Sequence, residues 1–259
     1  LSFAVVLLML SLSFRSGITI IVAYWRLIPW PPYLGNYQAA AAAVASPTAR
    51  TLYVAAVSIA GVVAVSAPAS FAFARMRFPG SGAAFALIIA VMAIPGIILL
   101  TPDFILANQL RLSGSLWSLI VFYIAGGIPF AVFLTTTFFR AQPRELFEAA
   151  FVDGANDIQA LLRIAIPLAF PILVTIAVLN FLGIYGDFIW PTLMLSQHNE
   201  TLLMALQQFT PTMAGLGSAE PNYGGESAAY LLGSLPQLVI FVLGMRYFVQ
   251  GLTSGAVKA

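Results

Sequence analysis

The chain has 259 residues, 61% of them hydrophobic and only 8% charged, with a formal net charge of +2. Soluble domains carry about 25% charged residues, so too little polar surface remains to disperse a water-soluble fold, and the bilayer is the natural solvent. The small net charge argues against nucleic-acid binding, the absence of cysteine excludes disulfides and thiolate metal sites, and one histidine, His198, cannot build a metal site alone.

A spanning helix needs about 20 mostly apolar residues. Six candidate spans follow in order. The first, 1–14, opens inside an apolar run without a methionine, so its start, and any cytoplasmic tail before it, are expected to precede Leu1. Read as a signal peptide it would lack a basic leader, and Arg15-Ser16-Gly17 is a poor cleavage site. The run 17–25 is too short to span and is followed by aromatics and prolines, so an outer loop is expected up to about Arg50. The second span is 51–74. The third, 83–100, contains Pro95-Gly96, and the fourth, 116–139, contains Gly126-Gly127 and Pro129. The fifth is 166–188 and the sixth 228–249. Between the last two lies a polar, Gly- and Pro-rich loop, 197–226, and loops of that length are usually functional or disordered. The expectation is one all-α, polytopic membrane domain over 1–259, with six transmembrane helices, the first of them truncated, and no separate soluble catalytic domain. No internal repeat is visible.

Orientation follows the basic residues. With the amino terminus cytoplasmic, Arg75, Arg77, Arg140, Arg144, Arg163, Arg246 and Lys258 lie inside, and Arg15, Arg26, Arg50 and Arg111 outside. Trp25, Trp30, Tyr33, Tyr37, Trp117 and Trp190 then fall near the outer interface, as aromatic belts do. The same choice puts the segment 143–167 in the cytoplasm. There Pro143 suits a helix start, and Glu145 and Glu148 put negative charge where the helix dipole favours it. Ala149 and Ala150 form helix strongly and leave little side-chain bulk, so another surface can come close to the backbone. Asp153-Gly154 ends the helix, with Gly154 suited to the left-handed conformation. Asn156 or Asp157 can cap a second short helix running to about Arg163, and Pro167 opens the next span.

Glu148-Ala149-Ala150, three residues, Gly154, nine residues, then Ile164 and Ile166-Pro167 resembles the EAA loop of importer-type ABC permeases, with Ile166 in place of Leu. Phe71-Ala72-Phe73-Ala74-Arg75-Met76-Arg77-Phe78-Pro79-Gly80 is similar to another segment of that family. Pro129-Phe130, Phe138-Phe139 and Pro143-Arg144-Glu145-Leu146 resemble its approach to the loop. The stretch from Arg246-Tyr247-Phe248 to Gly255-Ala256-Val257-Lys258 looks like the tail of its carbohydrate-importing, maltose-type branch. Where the family commonly carries Trp-Asn-Glu-Phe, this chain has Tyr185-Gly186-Asp187-Phe188.

The resemblance implies a multi-pass subunit of a bacterial or archaeal cytoplasmic membrane, surrounded by lipid, that forms the pathway with a second homologous permease. It implies two ATP-binding subunits, each receiving one cytoplasmic coupling helix, and an extracytoplasmic solute-binding protein that delivers a carbohydrate. The coupling residues are then Glu145, Glu148, Ala149, Ala150, Asp153 and Gly154. ATP and magnesium belong to the partner subunits. This chain, which lacks a Gly-x-x-x-x-Gly-Lys-Ser/Thr motif, is expected to bind no cofactor and to catalyse no reaction. By the same resemblance the outer loop, with Phe209, Thr210, Pro211 and Tyr223, contacts the binding protein.

Asp187 is the acid that falls within an expected span. It lies about 30 Å along a helix begun at Ile166, near the outer boundary, where it is a solvated helix end, an outer-gate hydrogen bond or a substrate contact. With it, Tyr185, Asn180 and Gln237 are candidate pathway residues, the last two being interhelical hydrogen bonds or ligand contacts. An ion-coupled secondary transporter is the alternative and would want acids at mid-membrane. An intramembrane enzyme would need a nucleophile–base pair or metal ligands in a cavity.

Overall fold

A computed structural model of the chain describes residues 2–22, 28–196, 199–208 and 223–253, which are helical, with no β-strand among the described residues. Among the described residues, three helices are long and apolar enough to cross a membrane: α3 (Gly35–Arg75), α6 (Trp117–Ala141) and Tyr223–Arg246 within α13 (Tyr223–Thr253). The count rises to as many as five if each of two bent pairs is one span. The apolar helix α1 (Ser2–Ser13) and the short α2 (Gly17–Val22) precede them. Each of the six expected spans overlaps helix among the described residues, but three to five of them meet the length and apolarity of a crossing, and the fold is an all-α polytopic membrane architecture.

Three differences from the sequence expectation have local causes. Residues 35–50, expected in a loop, form the start of α3, because Ala39 to Ala43 is a run of the strongest helix former. The third span is two helices, α4 (Ser81–Met92) and α5 (Gly96–Gln109), bent by 100°. Pro95 stands at the start of α5 with ψ 126°, lacks an N–H, and disfavours helical backbone in the residue before it. The fifth span bends by 73° between Asp157–Leu168 and α10 (Phe170–Tyr185), where Pro167 and Pro171 remove two donors.

The chain divides into two compact units. The second holds Val54–Ile184 and Ile240–Ala259. Its core joins Phe71, Phe139 and Phe147 to Ala160, Ala165, Ala169, Ile172 and Leu173, and Val62 to Ala131 and Ile176. Small residues at helix contacts let backbones approach, which is how membrane helices gain packing energy without a hydrophobic drive between them. Gly127 is the clearest case. A Cβ there would lie 2.6 Å from Asn180 Oδ1 and 2.7 Å from Val62 Cγ2, so only glycine lets α6 seat between α3 and α10.

The first unit holds Leu1–Tyr53 and Tyr185–Val239. Buried Asn36 donates to the carbonyls of Ser13 and Arg15 at 2.9 and 2.8 Å, fixing the end of α1 on α3. The short helices α11 (Ile189–Met194) and α12 (Leu202–Gln208) belong here, and the Leu202 amide donates to Thr51 Oγ1 at 2.9 Å.

Candidate functional site

The segment 143–167 folds from the signals its sequence carries. Pro143 precedes α7 (Arg144–Val152) in extended conformation, and Glu145 lies in the first turn. The helix ends in a complete Schellman motif: Ala155 N–H donates to Ala150 O at 2.9 Å, Gly154 N–H to Phe151 O at 3.1 Å, and Gly154 has φ +85°. A reciprocal capping box then starts α8 (Asp157–Ala160). Asn156 Oδ1 accepts from Gln159 N–H at 2.9 Å, and Gln159 Oε1 accepts from Asn156 N–H at 3.0 Å. A π-helical turn, Leu161–Ala165, leads into α9 (Ile166–Leu168).

Glu145, Glu148, Ala149, Asp153 and Gly154 are exposed and Ala150 is half-buried. Around them stand exposed Leu146, Phe151, Ile158 and Leu162, and Val152 is 87% exposed. Phe147, on the opposite face of α7, is only 3% exposed and joins the core of the second unit. A short helix thus offers acids and apolar side chains outward while one aromatic roots it in the bundle.

The root is reinforced by Arg75, the last residue of α3. Its guanidinium donates to Phe139 O at 2.6 Å and Gln142 O at 2.7 Å, and its Cζ stands 4.2 Å from the centroid of the Phe147 ring. The two carbonyls lie at the C-terminal end of α6, where helical acceptors lack intrahelical donors and a cation is favoured. The Gln142 side chain in turn donates to Ala165 O at 3.4 Å. Arg75 was read from the sequence as one of several basic residues setting orientation; nothing in its spacing signals these contacts.

A second feature of the same unit is a cleft of about 300 Å³ between α6 and α10. Phe122, Tyr123 and Phe130 line it with Gly126, Gly127 and Asn180. Asn180 donates to Ile176 O at 2.9 Å, within its own helix. Aromatic faces beside a single amide are suited to a ligand that is apolar on one face and hydroxylated on its edge.

The remaining pathway residues belong to the first unit. The Tyr185 hydroxyl donates to Gly233 O at 2.6 Å and the side chain is buried. Asp187 Oδ1 accepts from the amides of Ile189 and Trp190 at 2.9 and 3.4 Å, in the first turn of α11. This is a helix-starting carboxylate. Gln237 is half-buried on α13, and Tyr223 is exposed at its start. Phe209, Thr210, Pro211 and His198 lie outside the described residues. Sequence reading missed Asp103. Because α5 runs on to Gln109, this acid falls inside the apolar bent pair rather than beyond it.

The family described as the binding-protein-dependent transport system inner membrane component has a model that matches residues 64–254. The chain is 32% identical over 234 residues to the ABC transporter permease protein ORF1 of Streptomyces antibioticus, a match covering 89% of this chain and 100% of that protein. It is 34% identical over 197 residues to the trehalose transport system permease protein SugB of Mycobacterium tuberculosis, covering 76% of this chain and 70% of that one. Among solved structures it is similar to a chain of a bacterial ABC transporter involved in import of the acidic polysaccharide alginate, with a TM-score of 0.81 and 20% identity, covering 94% of this chain and 89% of that chain.

Proposed function

The chain belongs to the family of inner membrane components of binding-protein-dependent transport systems, and from this premise we propose that it imports a carbohydrate, an oligosaccharide, driven by partner ATPases through the segment 143–167. The observation that carries the reading is the two-faced build of α7. Phe147 is buried in the bundle, while Glu145, Glu148, Ala149 and Asp153 are exposed beside apolar Leu146 and Val152. A helix built this way gives a partner both charge and apolar area, and its root passes displacement to the spans. ATP hydrolysis lies in two ATP-binding subunits, one docked on this segment and one on a second homologous permease. A solute-binding protein supplies the sugar from the other side and meets the loop 197–226.

The cleft between α6 and α10 is the proposed substrate contact in this chain. A sugar ring has apolar C–H faces that suit Phe122, Tyr123 and Phe130, and hydroxyls that suit the Asn180 amide. The carbohydrate class is supported by the name of the Mycobacterium tuberculosis relative, a trehalose permease.

The test is reconstitution of the chain in liposomes with its partner permease, the ATP-binding subunits and the binding protein, with labelled trehalose and maltotriose as probes. ATP-dependent uptake that stops when the ATP-binding subunits are left out is the expected result. Uptake of either sugar driven by an ion gradient without those subunits would replace this reading with a secondary transporter.

A further inference from the structure

Glu148 and its neighbours account for what a motor would touch, but a lever also needs a stiff root. Arg75 lies on neither the exposed face of α7 nor the cleft, yet its side chain contacts both α6 and α7. One guanidinium joins three elements. It ends α3, holds the Phe139 and Gln142 carbonyls that end α6, and lies 4.2 Å from the ring of Phe147 in α7. The residue it holds, Gln142, reaches on to Ala165 O in the π-helical turn. Both roots of the segment 143–167 are therefore tied through Gln142, and Gln142 is tied to the bundle by Arg75.

The chemistry is particular to arginine. A planar guanidinium can donate to two carbonyls in its own plane and still offer a face to an aromatic ring, whereas an ammonium is a point charge. Bonds of 2.6 and 2.7 Å to a cation are short and strong. Arg75 Nε and Gln142 Oε1 are buried with no hydrogen-bond partner among the described residues. Nearby Arg77 carries the same charge but is exposed, and its side chain makes no hydrogen bond or ion pair among the described residues. The charge that sets orientation is thus separable from the clamp.

We propose that Arg75 is a positioning residue that locks the coupling helix α7 to the ends of α3 and α6, so that a push on α7 moves this bundle as one body rather than bending its own root. The proposal rests on the lever reading of α7 for its purpose, but the clamp itself is measurable without it.

The chain has no cysteine, so spin labels can be placed at Val121→Cys and Arg144→Cys, both exposed and neither on the docking face proposed for α7. One site is near the start of α6 and the other begins α7, so the pair reports across the clamp. In the assembled transporter in lipid nanodiscs, a narrow distance distribution is expected, unchanged when ATP is added with vanadate. Arg77→Ala should leave it so. Arg75→Ala should at least double its width and make it shift on ATP addition, while ATP hydrolysis continues. Arg75→Lys should broaden it less, and it decides the matter if the alanine variant fails to assemble. A narrow, ATP-insensitive distribution in both Arg75 variants would overturn the proposal. If the wild-type complex hydrolyses no ATP, the transport reading fails, but the nucleotide-free widths still decide the clamp.

Discussion

The hydroxyl of Tyr185 donates a 2.6 Å hydrogen bond to the backbone carbonyl of Gly233, tying the end of α10 to α13 within the first unit. The side chain is 3% exposed, so its one polar atom is committed to structure. Tyr185→Phe should therefore lower stability by about 1 kcal/mol, the net worth of a typical internal hydrogen bond, and leave the KM for sugar unchanged. Thermal unfolding in detergent and uptake kinetics read the two effects separately. A tenfold rise in KM with an unaltered melting temperature would return Tyr185 to the substrate path.

Ala149 is exposed on α7, where a larger residue meets solvent within this chain. Ala149→Trp should shift folding stability by no more than about 0.5 kcal/mol, as surface substitutions do, yet abolish transport by blocking docking. Co-purification with the ATP-binding subunits is the direct measurement, and undiminished binding would refute the assignment. Ala150 is half-buried, so a bulky residue there would mix docking loss with misfolding.

Gly127 is held by contact on two sides. Gly127→Ala would force a methyl to within 2.6 Å of Asn180 Oδ1 and 2.7 Å of Val62 Cγ2. Asn180 can move its side-chain end, but Val62 is buried and stiff at χ1. The cost expected is about 1–3 kcal/mol, the usual range for overpacking. Adding Asn180→Ala should recover only part of it, and full recovery would mean that Val62 gives way freely.

Gly154 differs, because no atom lies within 4 Å of where its Cβ would stand and only its φ of +85° constrains it. Gly154→Ala should cost about 1 kcal/mol for left-handed backbone, and Gly154→Asn less, since asparagine visits that region more readily. Equal stability of the alanine and glycine proteins by denaturant titration would remove backbone strain as the reason for glycine here.

The local structure of the segment 143–167 was legible in the sequence because its devices are local. A terminating glycine, an Asn156 cap and paired alanines each act within a few residues, and each takes its expected place. The exposure of Glu145, Glu148 and Ala149 against the burial of Phe147 was not legible, because it depends on which face α6 and α3 leave open. Arg75 was read as a charge and as part of a family-like segment, not as a contact. Its partners are 64 and 67 residues away along the chain, beyond any window of periodicity. Pro95 was noted inside the third span and Pro167 was read as opening the fifth, but neither break was expected, because the angles depend on the packing around them. The alanine run in α3 was outweighed by the nearby aromatics and prolines, and the loop expectation failed there.

The capping box at Asn156 and the Schellman turn at Gly154 shape the elbow entirely from its own backbone and side chains. Such an elbow would need no induced folding for the docking proposed above, so little ordering entropy would oppose it. Exchange of one ATPase for another would then be governed by the match of surfaces, and a foreign motor bearing a compatible groove should seat as readily as the native one.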